Sequence, residues 1–215
     1  MAPSSRRQRE REIVEATRAL FDERGLQDAP VEEIARAVGI NKALIYRHFA
    51  SKEELFVLTA TSYLEELSAA LRAVDRSDEP RARLVACSDA FVRYCLDHPA
   101  FLDCSISLLR RPSEELVEIV SEGVLLRLTL SMAECLAVIE EILRDGHERG
   151  DFSVDDPAFT ANLLWARALG ALHLARFGVG VSRGEGGLPR FFAVSADRLR
   201  ERLMIDTLAV VGARR

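Results

Sequence analysis

Lysine is almost missing from this chain. Of its 29 basic side chains only Lys42 and Lys52 are lysines; the rest are arginine. No run of eighteen apolar residues exists, which argues against a membrane span. The N-terminal "MAPSSRRQRERE" is basic without an apolar stretch behind it, so a secretory signal is not expected. No C-x-x-C pair occurs among the four cysteines, Cys87, Cys95, Cys104 and Cys135, and each sits among apolar neighbours. They read as reduced, buried thiols of a cytoplasmic protein. No strand pattern and no internal repeat stand out.

Known site patterns are also lacking. The glycines of 178–187 follow no strand and precede no G-K-[ST], so they are no phosphate loop. No nucleophile elbow is present. Asp145, His147, Glu148 and Asp151 fall at a helix end, where charged groups are ordinarily solvated, and are not read as a metal site. Neither a metal nor a cofactor is expected.

What is present is helical periodicity. Residues 7–24 carry Ile13, Val14, Thr17, Leu20 and Phe21 on one stripe, with Gly25 as the stop. Pro30 opens a helix over 30–38 at its first position, and Glu32 and Glu33 suit its dipole. Asn41 caps a third helix, 42–48. Ser51 and Glu54 form a capping box that starts a fourth, running to about 73. Residues 75–80 read as a polar turn. A helix over 81–97 presents Leu84, Cys87, Phe91 and Cys95 on one face, and His98-Pro99 breaks it. A shorter helix to about 109 ends before Arg110-Arg111-Pro112, and 113–148 reads as one long amphipathic helix. Asp156-Pro157 opens a helix to 177, 178–189 reads as a flexible loop, and 190–211 as the last helix.

Charge is uneven: net +2 over 1–52 and −7 over 53–215. The basic segment contains a helix-turn-helix pattern at 30–49. Ala35 is small where two helices meet, and Gly39 is free to turn four positions later. Ile34, Val38, Ile40 and Ile45 lock the pair. The helix 42–48 then keeps Lys42, Ala43, Tyr46, Arg47 and His48 for another surface, and Lys52 follows at the next helix start. Positive, hydrogen-bonding and small side chains are what phosphates and base edges in a major groove require. These six residues are the expected contacts to double-stranded DNA.

Residues 7–67 resemble the tetracycline-repressor-like (TetR) family of bacterial regulators. The resemblance is carried by Leu20-Phe21, Gly25, Val31, Ile34-Ala35, Val38-Gly39-Ile40, Lys42, Leu44-Ile45-Tyr46, His48-Phe49 and Ser51-Lys52-Glu53-Glu54-Leu55. It implies a cytoplasmic homodimer with an all-helical C-terminal domain, 68–215, that binds a small molecule. It also implies that Lys42, Ala43, Tyr46 and His48 approach DNA while Phe49 packs in the core. Pro30, Asn41 and Ala43 stand where the family often has Thr, Ser and Gly, which bears on the operator sequence.

The expected fold is therefore all-α: a DNA-binding domain at 7–67 and a ligand-binding and dimerisation domain at 68–215. The helix 157–177 is apolar on two faces, so it must be covered on both. Leu164, Ala168 and Ala171, with Phe192, Leu199 and Leu203 of the last helix, form the expected dimer interface. Phe91, Tyr94, Phe101, Trp165, His173 and Phe177 are the expected lining of a cavity for a largely apolar effector. The expected function is a ligand-released repressor that binds a palindromic operator as a dimer. The rivals are a helical enzyme using the C-terminal pocket and a DNA-binding regulator without a ligand.

Overall fold

A computed structural model of the chain describes residues 5–24, 30–74, 79–110 and 113–213. The expected stop at Gly25, the centre of the 75–80 turn and the Arg111-Pro112 break lie outside those residues. Ten helices and one hairpin follow in order among the described residues: α1 (Ser5–Arg24), α2 (Val31–Val38), α3 (Lys42–His48), α4 (Lys52–Arg72), α5 (Pro80–Asp97), α6 (Pro99–Leu109), α7 (Ser113–Ile119), α8 (Glu122–Glu148), α9 (Pro157–Phe177), β1 (Val179–Arg183), β2 (Pro189–Ala193) and α10 (Ala196–Val210). The architecture is helical, as the periodicity requires.

Two compact units emerge. One comprises Met1–Glu66 with His98–Ala133; the other comprises Leu67–Asp97 with Glu134–Arg215. These lines differ from the sequence division at 67/68, because α6 returns to pack on α1.

In the first unit, Ile13, Ile34, Ile45, Phe49, Leu55, Tyr63 and Phe101 are buried together. Tyr63 donates its hydroxyl to Asp22 Oδ1 at 2.7 Å, and the Arg18 guanidinium lies 4.2 Å from its ring centroid. Burial and the Asp22 partner hold the phenol well above its ordinary pKa. The capping box forms as expected: Ser51 Oγ accepts from Glu54 N at 3.0 Å. Glu54 is buried, and its carboxylate accepts from Ala50 N at 2.5 Å and from the Ser121 hydroxyl.

That last contact corrects the expected single helix over 113–148. The segment breaks at Val120-Ser121 into α7 and α8. Val120 is buried, and the Ser121 carbonyl accepts the first helical bonds of α8, from Val124 N and Leu125 N. Serine at a helix start is favourable because its hydroxyl competes for hydrogen bonds inside a helix. Pro30 is a second correction. It lies just outside α2 with extended ψ of 144°, and its carbonyl accepts from Glu33 N and Ile34 N.

In the second unit, α5, α9 and α10 pack on one another. The expected face of α5 is inside: Leu84, Cys87, Phe91 and Cys95 are all buried. Burial pushes the thiols of Cys95 and Cys135 up, that of Cys135 to about 12, so both remain protonated. Arg200 of α10 grips Asp89 of α5 through both carboxylate oxygens, one of them at 2.9 Å. This guanidinium holds the Asp89 carboxyl below the usual carboxylate range.

The expected flexible loop over 178–189 and the helix start at 190 are overturned. Residues 179–193 form an antiparallel hairpin, with Val179 opposite Ala193 and Val181 opposite Phe191. β-branched and aromatic residues flank a glycine-rich connection, the composition of a hairpin. Phe192 lies over Gly180, where any Cβ would collide with its ring. The last helix starts only at Ala196, capped by Ser195, whose Oγ accepts from Arg198 N at 3.3 Å.

Candidate nucleic-acid interface

The α2–α3 pair is built by its own sequence. Ile34, Ala35 and Ile45 are buried at the helix contact, and Phe49 is buried behind α3. Gly39 takes φ +72°, a conformation that a Cβ disfavours. The turn lets Ile40 N donate to Ala35 O at 2.9 Å and Gly39 N to Arg36 O at 3.1 Å, which satisfies the last carbonyls of α2. Asn41 Oδ1 accepts from Leu44 N at 2.8 Å and starts α3.

With Ile45 inside, α3 leaves Lys42, Ala43, Tyr46 and Arg47 exposed. Tyr46 is 44% exposed, its ring open to solvent beside Lys42. Lys42 Nζ donates to Glu32 Oε1 at 2.5 Å and lies 5.9 Å from the Tyr46 ring centroid. Each partner favours the charged form of the other: Glu32 is held below its ordinary pKa and Lys42 above it. Lys52 is exposed at the first turn of α4. His48 differs from the other five. Its side chain is only 12% exposed and lies beside Glu10 of α1.

The second candidate site is a cavity of about 50 Å³ within α4, α5, α8, α9 and α10. Phe91 and Trp165 line it, as expected, with ring centroids 4.7 Å apart. The other four expected lining residues do not. Tyr94 is buried away from it, and Phe101 packs against Tyr63 at 5.9 Å in the first unit. His173 and Phe177 point outward from α9, Phe177 being 70% exposed.

The residues expected at a dimer interface lie at several places in the second unit. Leu164, Ala168 and Leu203 line the cavity. Ala171 and Leu199 are half-buried, and Phe192 sits on β2. On α9 the large apolar residues left exposed are Phe159, Leu163, Leu174 and Phe177. Both apolar faces of α9 are visible in the sequence, but helical spacing does not say which one meets α5 and α10. Ser88 and Thr207, the hydroxyls on the cavity wall, carry no sequence signal; neither has a side-chain hydrogen-bond partner among the described residues.

Comparison with known proteins accords with this geometry. Residues 13–58 match the family model "Bacterial regulatory proteins, tetR family". The HTH-type transcriptional repressor KstR2 of Mycobacterium tuberculosis is 40% identical over 74 residues, 34% of this chain and 37% of that protein. The chain spans about two fifths of the length of the curated relatives it matches. A TetR family transcriptional regulator, PfmR from Thermus thermophilus, superposes with a TM-score of 0.62 at 21% identity, over 94% of this chain and 98% of that one. RolR, solved in complex with resorcinol, superposes with a TM-score of 0.68 at 18% identity, over 97% and 90%. The matched family and these relatives are regulators, not enzymes. Among the described residues no helix is long and apolar enough to cross a membrane.

Proposed function

We propose that this chain, which carries the N-terminal domain of the tetR family of bacterial regulatory proteins at residues 13–58, is a ligand-released transcriptional repressor of the cytoplasm that binds a palindromic operator as a homodimer. The observation that carries the reading is α3: a short helix capped by Asn41, locked by Ile45, and presenting Lys42, Ala43, Tyr46 and Arg47 to solvent. Residues 7–67 supply the DNA contacts, and 68–215 supply the effector site and the dimer contact.

The uncovered apolar face of α9 supports a second copy as its cover, since a face of this kind left in water is unfavourable. Two α3 helices related by a twofold axis then meet successive major grooves. The cavity at Phe91 and Trp165 supports an effector with a largely apolar body. At about 50 Å³ it is smaller than an apolar protein cavity of roughly 150 Å³ that takes up benzene. An aromatic effector therefore selects an opened state, with the flexible Met204 on the cavity wall as the side chain most easily moved. That state has α3 helices out of register with the operator, so effector and operator weaken each other's binding.

The test is selection of duplexes from a random-sequence pool by the full chain, followed by stoichiometry. Enrichment of a palindrome bound by two chains supports the reading. Failure to enrich any sequence refutes it. Trp165 is the sole tryptophan, so an effector seated in the cavity must alter the intrinsic fluorescence. An effector that releases DNA without changing that emission binds elsewhere.

A further inference from the structure

Among the described residues, one buried side-chain nitrogen has no hydrogen-bond partner: Nδ1 of His48. Its nearest carboxylate oxygen is Glu10 Oε1, at 3.7 Å, too long for a hydrogen bond. Arg6 Nε donates to that same oxygen at 3.0 Å. His48 also borders an open cleft of about 420 Å³ whose other walls are Arg6, Arg9, Leu44 and Arg47. The charged groups facing the imidazole are thus Arg6, Arg9 and Glu10 from α1, and Arg47 from α3 itself. Arg9 is paired with Glu12 at 2.7 Å, and Arg47 has no ion-pair partner among the described residues.

A neutral imidazole has one N–H, so it donates on one side only; the imidazolium donates from both nitrogens. Here one side of the ring meets a carboxylate, while the cleft beside it is walled by three guanidinium groups. Those groups attract an anion. A phosphate seated in the cleft favours a cation beside it. The C-terminal end of α3 adds its own preference for a cation at His48.

We propose that the cleft of Arg6, Arg9, Arg47 and His48 seats a backbone phosphate of bound duplex DNA, and that Glu10 is a positioning residue whose carboxylate, beside Nδ1, favours His48 as an imidazolium with Nε2–H directed to the phosphate. The proton comes from solvent, so duplex binding takes up one proton. The inference rests on the DNA-binding reading above. The sign follows from linkage: the complex favours the protonated ring, so affinity is highest at low pH and falls as pH rises through the imidazole range, by at most about tenfold per pH unit for one proton.

The experiment is fluorescence anisotropy of the full chain on its selected duplex, from pH 6.0 to 8.5 at fixed ionic strength. The parent chain, His48→Gln and Glu10→Gln are compared, with thermal unfolding as the fold control. The parent is expected to lose roughly tenfold in affinity across this range. His48→Gln is expected to bind with a flat profile, since glutamine still donates a hydrogen bond but cannot titrate. Glu10→Gln is expected to retain less than half of the parent's logarithmic slope. A flat parent profile, or equal slopes for the parent and His48→Gln, overturns the proposal. A Glu10→Gln slope equal to the parent's overturns the role of Glu10. Absence of binding at every pH sinks instead the DNA-binding reading on which the inference rests.

Discussion

At the scale of single residues, the buried carboxylate of Glu54 and the ion pair of Asp89 carry the clearest consequences. Glu54 accepts from Ala50 N and from Ser121, so Glu54→Ala strands both donors. A loss of about 1–3 kcal/mol is expected, read as a lowered midpoint in urea unfolding. Arg200→Ala removes the guanidinium that holds Asp89 below its ordinary range. A depressed folded-state pKa stabilises above the unfolded value, about 3.9, and the benefit is lost as pH falls through the folded value. The parent should therefore be modestly more stable than Arg200→Ala at neutral pH, the exposure of Arg200 screening the pair, and the two should converge in acid. A difference that persists in acid strong enough to protonate Asp89 in the folded state contradicts the pair's assigned role.

Among the elements, the helix-turn-helix is the most legible in sequence. Asn41, Gly39 and Ile45 each act locally, so cap, turn and buried face follow from neighbours within one or two turns. The hairpin is not legible, because Val179-Gly180-Val181 and Phe191-Phe192-Ala193 declare themselves only as a pair, across an intervening glycine-rich turn. The break at Ser121 is hidden for another reason: its partner, Glu54, is 67 residues away in the chain. The capping box is plain at Ser51, yet nothing in it announces that Glu54 also serves a distant helix start. Gly180→Val tests the hairpin account. The new side chain collides with the Phe192 ring, so the strands should loosen and proteolysis within 184–188 should accelerate while helical circular dichroism stays unchanged. Unaltered proteolysis would mean that the Phe192–Gly180 contact does not hold the strands together.

Across the whole molecule, the outward face of α9 is where the proposed assembly is tested. Phe177→Glu places a charge on a face with Leu163 and Leu174, so two chains that cover it with each other must separate. Because Phe177 is already exposed in one chain, the fold should survive. Sedimentation should report monomer for the variant and dimer for the parent, with operator affinity reduced by roughly tenfold or more as the second half-site contact is lost. A variant that remains dimeric moves the interface off this face. The inner face, with Leu164 and Ala168, is spoken for by the cavity, so charges there should lower stability and effector binding before they affect assembly.

The proposed contact of α3 with DNA is tested most directly by the salt dependence of duplex binding by the parent, Lys42→Ala and Tyr46→Ala. Counterion release makes the logarithm of affinity fall linearly with the logarithm of salt concentration. The parent is expected to show a steep slope. Lys42→Ala should weaken binding and reduce the slope by about one unit per dimer half-site, as loss of a phosphate contact requires. Tyr46→Ala should weaken binding without that change in slope, both variants keeping the parent's unfolding midpoint. Affinities and slopes identical to the parent's in both variants would show that the exposed face of α3 does not touch the duplex.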